Sequence, residues 1–178
     1  MPRLVVLLRG VNLVRTNRIA MAELRAALEE AGFGDVSTYV QSGNVVLSGK
    51  KSPERVADEV SALIKKRFGF NIAAVVRSRE DLAAVVRHNP LRKEATDAKR
   101  YLVTFMSSAP PAELLERLQA AAGPRELVAV KGREVYSWHP DGVGRSPLWE
   151  RLAAKVPGIT ATTRNWATVT TILSMVDA

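Results

Sequence analysis

Cysteine is absent from the 178 residues. That excludes a disulfide framework and thiolate chemistry, and it makes the cytoplasm the expected compartment. Histidine occurs only as His88 and His139; two histidines without cysteine are a poor basis for a structural zinc site, so no metal is expected. Long apolar runs are missing as well. The Leu4–Leu8 run behind Arg3 faintly imitates a secretory leader, but it is short, ends in Arg9-Gly10 and lacks a small-residue cleavage site. No stretch approaches membrane-spanning length, so a soluble protein with no membrane contact is expected. Also absent are the G-x-S-x-G elbow, the P-loop, H-E-x-x-H and any paired-carboxylate arrangement. No reaction is named by the sequence, and no cofactor is expected.

What is present is ordinary globular material, 47% hydrophobic and 25% charged. The formal charge of +8 favours a polyanionic partner. A compositional reading competes with that. Arginine outnumbers lysine 18 to 8, and residues 1–98 and 99–178 carry +5 and +3, so the excess is spread and not clustered in a tail.

The apolar periodicity gives the architecture. Residues 3–9 read as a buried strand, and a helix near 20–31 carries Leu24, Ala27, Leu28 and Ala31 on one face before Gly32. Strands over Val36–Val40 and Val45–Leu47 flank a Ser42-Gly43 turn. Ser52-Pro53 caps a helix striped by Val56, Val60, Leu63, Ile64 and Phe68. Ile72–Val76 is a strand, and Ser78 with Asp81 opens a helix that Asn89-Pro90 ends. After a stretch without periodicity the order returns. Strands are expected at Arg100–Met106, Leu127–Val130, Glu134–Trp138 and Ile159–Thr162. Helices are expected after Pro110-Pro111, after Ser146-Pro147 and from Trp166 onward.

The result is β-α-β-β-α-β-α twice, a duplication at about 95 residues. The expected fold is α+β: a tandem pair of ferredoxin-like βαββαβ subdomains, each followed by an extra helix. The expected bounds are 1–92 and 100–178, with a linker over 93–99.

In this plan the sheet order is 4-1-3-2, and right-handed crossovers put the exit of strand 1 and the turn between strands 2 and 3 at one end. That brings Arg9, Gly10 and Asn12 beside Gln41, Ser42, Gly43 and Asn44. The Arg15-Thr16-Asn17-Arg18 loop and the first helix N-terminus join them, a plausible anion seat. Each residue also has a plain structural reading: a Gly-Asn turn is hairpin chemistry, Asn12 can cap a loop, and Arg9 can pair with Glu23. Ser42 has no evident base, so no nucleophile is expected there. In the second subdomain, Arg145-Ser146 and Thr162–Trp166 gather at the opposite end of the sheet. Docking of the subdomains would decide whether Arg145, Arg164 and Asn165 join the rim.

Base-stacking modules of this plan use aromatics on strands 1 and 3. Here Tyr101 and Phe105 share one side of a strand, as do Tyr136 and Trp138, with Glu134 on the latter side hinting at exposure. Burial of these rings is the competing reading. His88 reads as a helix-end charge and His139-Pro140-Asp141-Gly142 as a turn.

Leu8-Arg9-Gly10-Val11-Asn12, Met21-Ala22-Glu23-Leu24, Thr38 through Val46 with its Gln41-Ser42-Gly43-Asn44 core, Asn89-Pro90, and Thr163-Arg164-Asn165-Trp166 with Thr168-Val169 together resemble a bacterial family, domain of unknown function 1697. The resemblance covers nearly the whole chain. It implies two related ferredoxin-like subdomains and supplies no activity, cofactor or catalytic residue. Relatives carry a Gly-Gly pair where this chain has Val14-Arg15, which weakens a glycine-built anion nest.

The leading expectation is a phosphorylated or otherwise anionic small ligand bound by Arg9, Gly10, Asn12, Gln41, Ser42, Gly43 and Asn44, with Arg164 and Asn165 contributing. The alternatives are a nucleic-acid binder using distributed arginine, an enzyme, and a structural or interaction protein without catalysis. The assembly is expected to be a monomer or homodimer.

Overall fold

A computed structural model describes residues 1–12 and 17–178. The Arg15-Thr16 part of the expected anion seat and the Val14-Arg15 departure therefore lie outside the described residues. Among the described residues fourteen elements follow in chain order. They are β1 (Arg3–Leu8), α1 (Met21–Glu30), β2 (Gly34–Tyr39), β3 (Asn44–Ser48), α2 (Pro53–Phe68), β4 (Ala74–Ser78) and α3 (Arg79–His88). The same order repeats as β5 (Tyr101–Met106), α4 (Ala112–Ala121), β6 (Leu127–Lys131), β7 (Glu134–Trp138), α5 (Pro147–Ala153), β8 (Ala161–Asn165) and α6 (Trp166–Asp177).

The strands form two four-stranded antiparallel sheets of orders β2-β3-β1-β4 and β6-β7-β5-β8. Both are the 4-1-3-2 order expected of the ferredoxin-like plan. The chain divides into two compact units, Met1–Ala84 with Ile172–Ala178, and Val85–Thr171. Residues 91–100 hold turns and neither helix nor strand.

In the first unit, Leu4, Val6 and Leu8 alternate onto the sheet face that meets Leu24 and Leu28 of α1 and Val56, Val60 and Ile64 of α2. Each such fully buried side chain contributes about 1.5–3 kcal/mol. Val5, Leu7 and Val46 are buried on the other face, which explains the continuous apolar run of β1. The helix ends behave as their residues demand. Ser52 Oγ accepts from Arg55 N at 3.3 Å, Pro53 takes the first helical position, and Gly69 closes α2 in the left-handed conformation at φ 79°. Ser78 Oγ likewise accepts from Asp81 N at 3.0 Å.

The second unit builds its helix-facing core from Met106, Leu114, Leu118, Val135, Leu148 and Leu152. Its opposite sheet face carries Tyr101, Phe105, Tyr136 and Trp138, all buried. Tyr136 Oη donates to Val85 O at 3.1 Å, Tyr101 Oη donates to Asn89 Oδ1 at 3.0 Å, and Trp166 stacks on Tyr101 with ring centroids 4.8 Å apart. Burial pushes the Tyr101 phenol up to about 12 and raises Tyr136 as well. These four rings are core and form no platform toward solvent. The exposure expected at Glu134 is a correction: β7 is buried along its whole length, and Glu134 is only 8% exposed opposite Phe105. Alternation told which face Glu134 shares, but not that this face is covered.

Two threonines of α6 bond back into their own helix, Thr170 Oγ1 to Trp166 O at 3.1 Å and Thr171 Oγ1 to Ala167 O at 2.9 Å. Among the described residues no helix is long and apolar enough to cross a membrane.

Candidate functional site

The two loops that the topology was expected to join do meet at one end of the first sheet. Antiparallel register sets Leu7 opposite Asn44, and one residue on, Leu8 N donates to Gly43 O at 2.9 Å. Arg9 N then donates to Ala73 O at 2.9 Å, fixing the exit of β1 against the approach to β4. Asn12 makes the decisive bridge. Its Nδ2 donates to Gln41 O at 2.6 Å and to Ile19 O at 2.9 Å, while its Oδ1 accepts from Ile19 N at 2.7 Å. One amide thereby ties the loop after β1, the lead-in to α1 and the β2–β3 turn together. Asn17 closes the same loop: its Nδ2 donates to Gly10 O at 3.1 Å, and its carbonyl accepts from Asn12 N at 3.0 Å.

The β2–β3 turn is held from inside. Asn44, 1% exposed, donates through Nδ2 to Tyr39 O at 3.2 Å and to Ser42 Oγ at 3.0 Å. Gly43 is buried at φ 79°. Asn12, Asn44 and Gly43 are thus scaffold of the rim, while Gln41 and Ser42 are exposed and Arg9 and Gly10 half-buried upon it. Glu23 forms no pair with Arg9; among the described residues it meets no cation.

Left-handed backbone concentrates here, at Gly10, Asn12, Asn17, Val40 and Gly43. Glycine and asparagine tolerate that region, but a β-branched residue does not. Val40 sits at φ 50° with its side chain 54% exposed, so it carries strain without a burial gain. Val40→Asn is expected to raise stability by about 1 kcal/mol, because asparagine adopts this conformation at lower cost. The denaturant midpoint measures it; an unchanged or lower midpoint would show that Val40 is not strained.

Arg164 and Asn165 belong to the second unit. Arg164 Nη1 donates to Thr162 Oγ1 at 2.8 Å and to Thr163 O at 2.9 Å, and burial lowers the guanidinium to about 10. Asn165 Oδ1 accepts from Thr168 N at 2.9 Å, capping the start of α6.

A second polar cluster went unread in the sequence. His139, wholly buried, brings Nδ1 within 2.9 Å of Glu126 Oε2 and 3.2 Å of Ser146 Oγ, while Nε2 lies 2.8 Å from Ser137 Oγ. Ser146 Oγ donates to the same Glu126 oxygen at 2.6 Å and accepts from Trp149 N at 3.0 Å, capping α5. Gly123 N donates to Glu126 Oε1 at 3.0 Å. Burial pushes the Glu126 carboxyl up, but the bonds from Ser146, Gly123 and His139 outweigh it and hold the group below its ordinary value. Burial lowers the His139 imidazole, with Glu126 opposing in part. The available signal was parity: Val135 and Ser137 share the face of β7 that enters the core, and His139, one residue past the strand, continues that parity. Among the described residues no three His, Asp or Glu side chains come together as a metal set.

The whole chain is similar to a solved structure, that of conserved bacterial protein SP0830 from Streptococcus pneumoniae. The two share 22% identity over 98% of each chain, with a TM-score of 0.78. At that identity the likeness speaks for the fold alone. No curated protein matches the sequence. A family described as protein of unknown function, DUF1697, matches residues 1–136, and with most of the chain covered the protein belongs to that family.

Proposed function

We propose that the chain binds a phosphorylated or otherwise anionic small ligand at the rim of its first unit. The observation that carries this reading is the Asn12–Gln41 bond at 2.6 Å, which fastens two sequence-distant loops into one lip. A lip stitched by the side-chain amides of Asn12 and Asn44 holds its outward groups in fixed positions, which is what a binding site requires. Arg9 supplies the charge and a planar set of donors, Ser42 and Gln41 offer polar groups beside it, and Asn12 and Asn44 orient the loops. The reading rests on first-unit residues; Arg164 and Asn165 have bonding of their own within the second unit.

Inorganic phosphate and sulfate are the first probes, followed by phosphorylated metabolites. A ligand that binds only the folded chain raises the melting temperature with concentration. Arg9→Ala is expected to melt at the wild-type temperature without ligand and to lose the ligand-dependent rise. An Arg9→Ala protein that fails to fold would assign Arg9 to the scaffold. Wild-type protein whose melting no anion shifts would sink the reading. The nucleic-acid alternative gains nothing from the fold, since the rings that would stack bases are buried.

A further inference from the structure

The second unit holds a cavity of about 390 Å³ between the loop after α4 and the loop after β7, lined by Arg125, Glu126, Asp141 and Arg145 among others. Its size falls within the roughly 300–1,000 Å³ of small-molecule sites. The lining alternates in sign. Arg125 is paired with Asp141, whereas Arg145 is exposed and meets no carboxylate among the described residues. Glu126 also lines the cavity, its side chain 11% exposed.

Glu126 is unlike an ordinary surface carboxylate. Three donors from three separate segments fix it: Gly123 N, Ser146 Oγ and His139 Nδ1. Two of them converge on Oε2, leaving Oε1 with the single bond from Gly123, and a carboxylate oxygen has room for a second donor. His139 is in turn held by Ser137. A charge that is desolvated, pinned and still open to a cavity is arranged as binding groups are arranged. An anion alone would be repelled by Glu126, and a cation alone by Arg145. A molecule carrying both charges satisfies both.

We propose that this cavity binds a small zwitterion, a free amino acid or short peptide, with its ammonium group on Glu126 Oε1 and its carboxylate on the Arg145 guanidinium. The site is separate from the rim of the first unit and stands or falls without it.

Amide NMR of the full chain, titrated with each common L-amino acid and with dialanine and trialanine, tests this. The expected result is a saturable shift confined to the amides of residues 123–126 and 141–147, leaving residues 9–12 and 41–44 unmoved. Comparison of amino acids with the peptides identifies the source. The N-acetyl derivative and the methyl ester of the best binder are each expected to fail, since each removes one charge. Arg145→Gln lies outside the buried network, so it is expected to fold normally and bind at least about tenfold more weakly. No saturable shift with any of these probes, equal binding by Arg145→Gln, or equal binding of the methyl ester would overturn the proposal.

Discussion

Replacing Gly43 by alanine is expected to cost about 3 kcal/mol of stability, the sum of a left-handed backbone penalty and an overpacking penalty. The backbone part follows from φ 79°. The packing part is specific to the site: an added Cβ would stand 2.8 Å from Leu8 Cβ and 3.4 Å from Val11 Cβ. Leu8 belongs to the central strand and cannot retreat, because Leu8 N is bonded to Gly43 O at 2.9 Å. Gly32 provides the control, with φ 98° and nothing within 4 Å of an added Cβ. Gly32→Ala is expected to cost about 1 kcal/mol, the backbone part alone. Urea denaturation of the two variants measures the difference. Equal losses would mean that β1 and the β2–β3 turn do not press together, and the rim would lose its foundation.

That foundation was legible in the sequence because it follows from topology. Two strands of like direction in a 4-1-3-2 sheet must bring the residues after Leu8 and those before Asn44 to one end, whatever their chemistry. The duplication was legible for a related reason, since a helix-period stripe such as Val56-Val60-Ile64 and a strand run such as Leu4–Leu8 each have one structural solution. The division of labour on the rim was not legible. Asn12 and Asn44 look like ligand-facing amides in a list of residues, yet they bond to the chain itself, at Ile19, Gln41, Tyr39 and Ser42. Hydrogen-bond direction depends on side-chain torsions, which no periodicity encodes. Glu126, Ser137, His139 and Ser146 were missed for a different reason. They are dispersed over three segments, and none forms a motif until β7 and the caps of the neighbouring loops bring them together.

His139 and Glu126 make the stability of the second unit sensitive to acid. Folding lowers the imidazole below its ordinary 6.5, so as pH falls through that value the unfolded chain takes up the proton first. The stability His139 confers is complete above pH 6.5 and declines from there toward the folded-state value. Folding also holds Glu126 below its ordinary 4.5; its contribution is complete above that pH and is lost as pH falls through the lowered value. Both groups therefore act in one direction, and stability is expected to drop in two successive stages on acidification. His139→Gln removes the first stage. At neutral pH it is expected to cost about 2 kcal/mol, because Glu126, Ser137 and Ser146 lose the ring that bridges them. Between neutrality and pH 4.5 its stability should then stay level while the wild type falls. Glu126→Gln removes the second stage and leaves a fall that begins at 6.5. Chemical denaturation across this range reads both. A wild-type curve that is level through pH 6.5, or a His139→Gln curve that still falls there, would show that the buried ring does not change its proton affinity on folding.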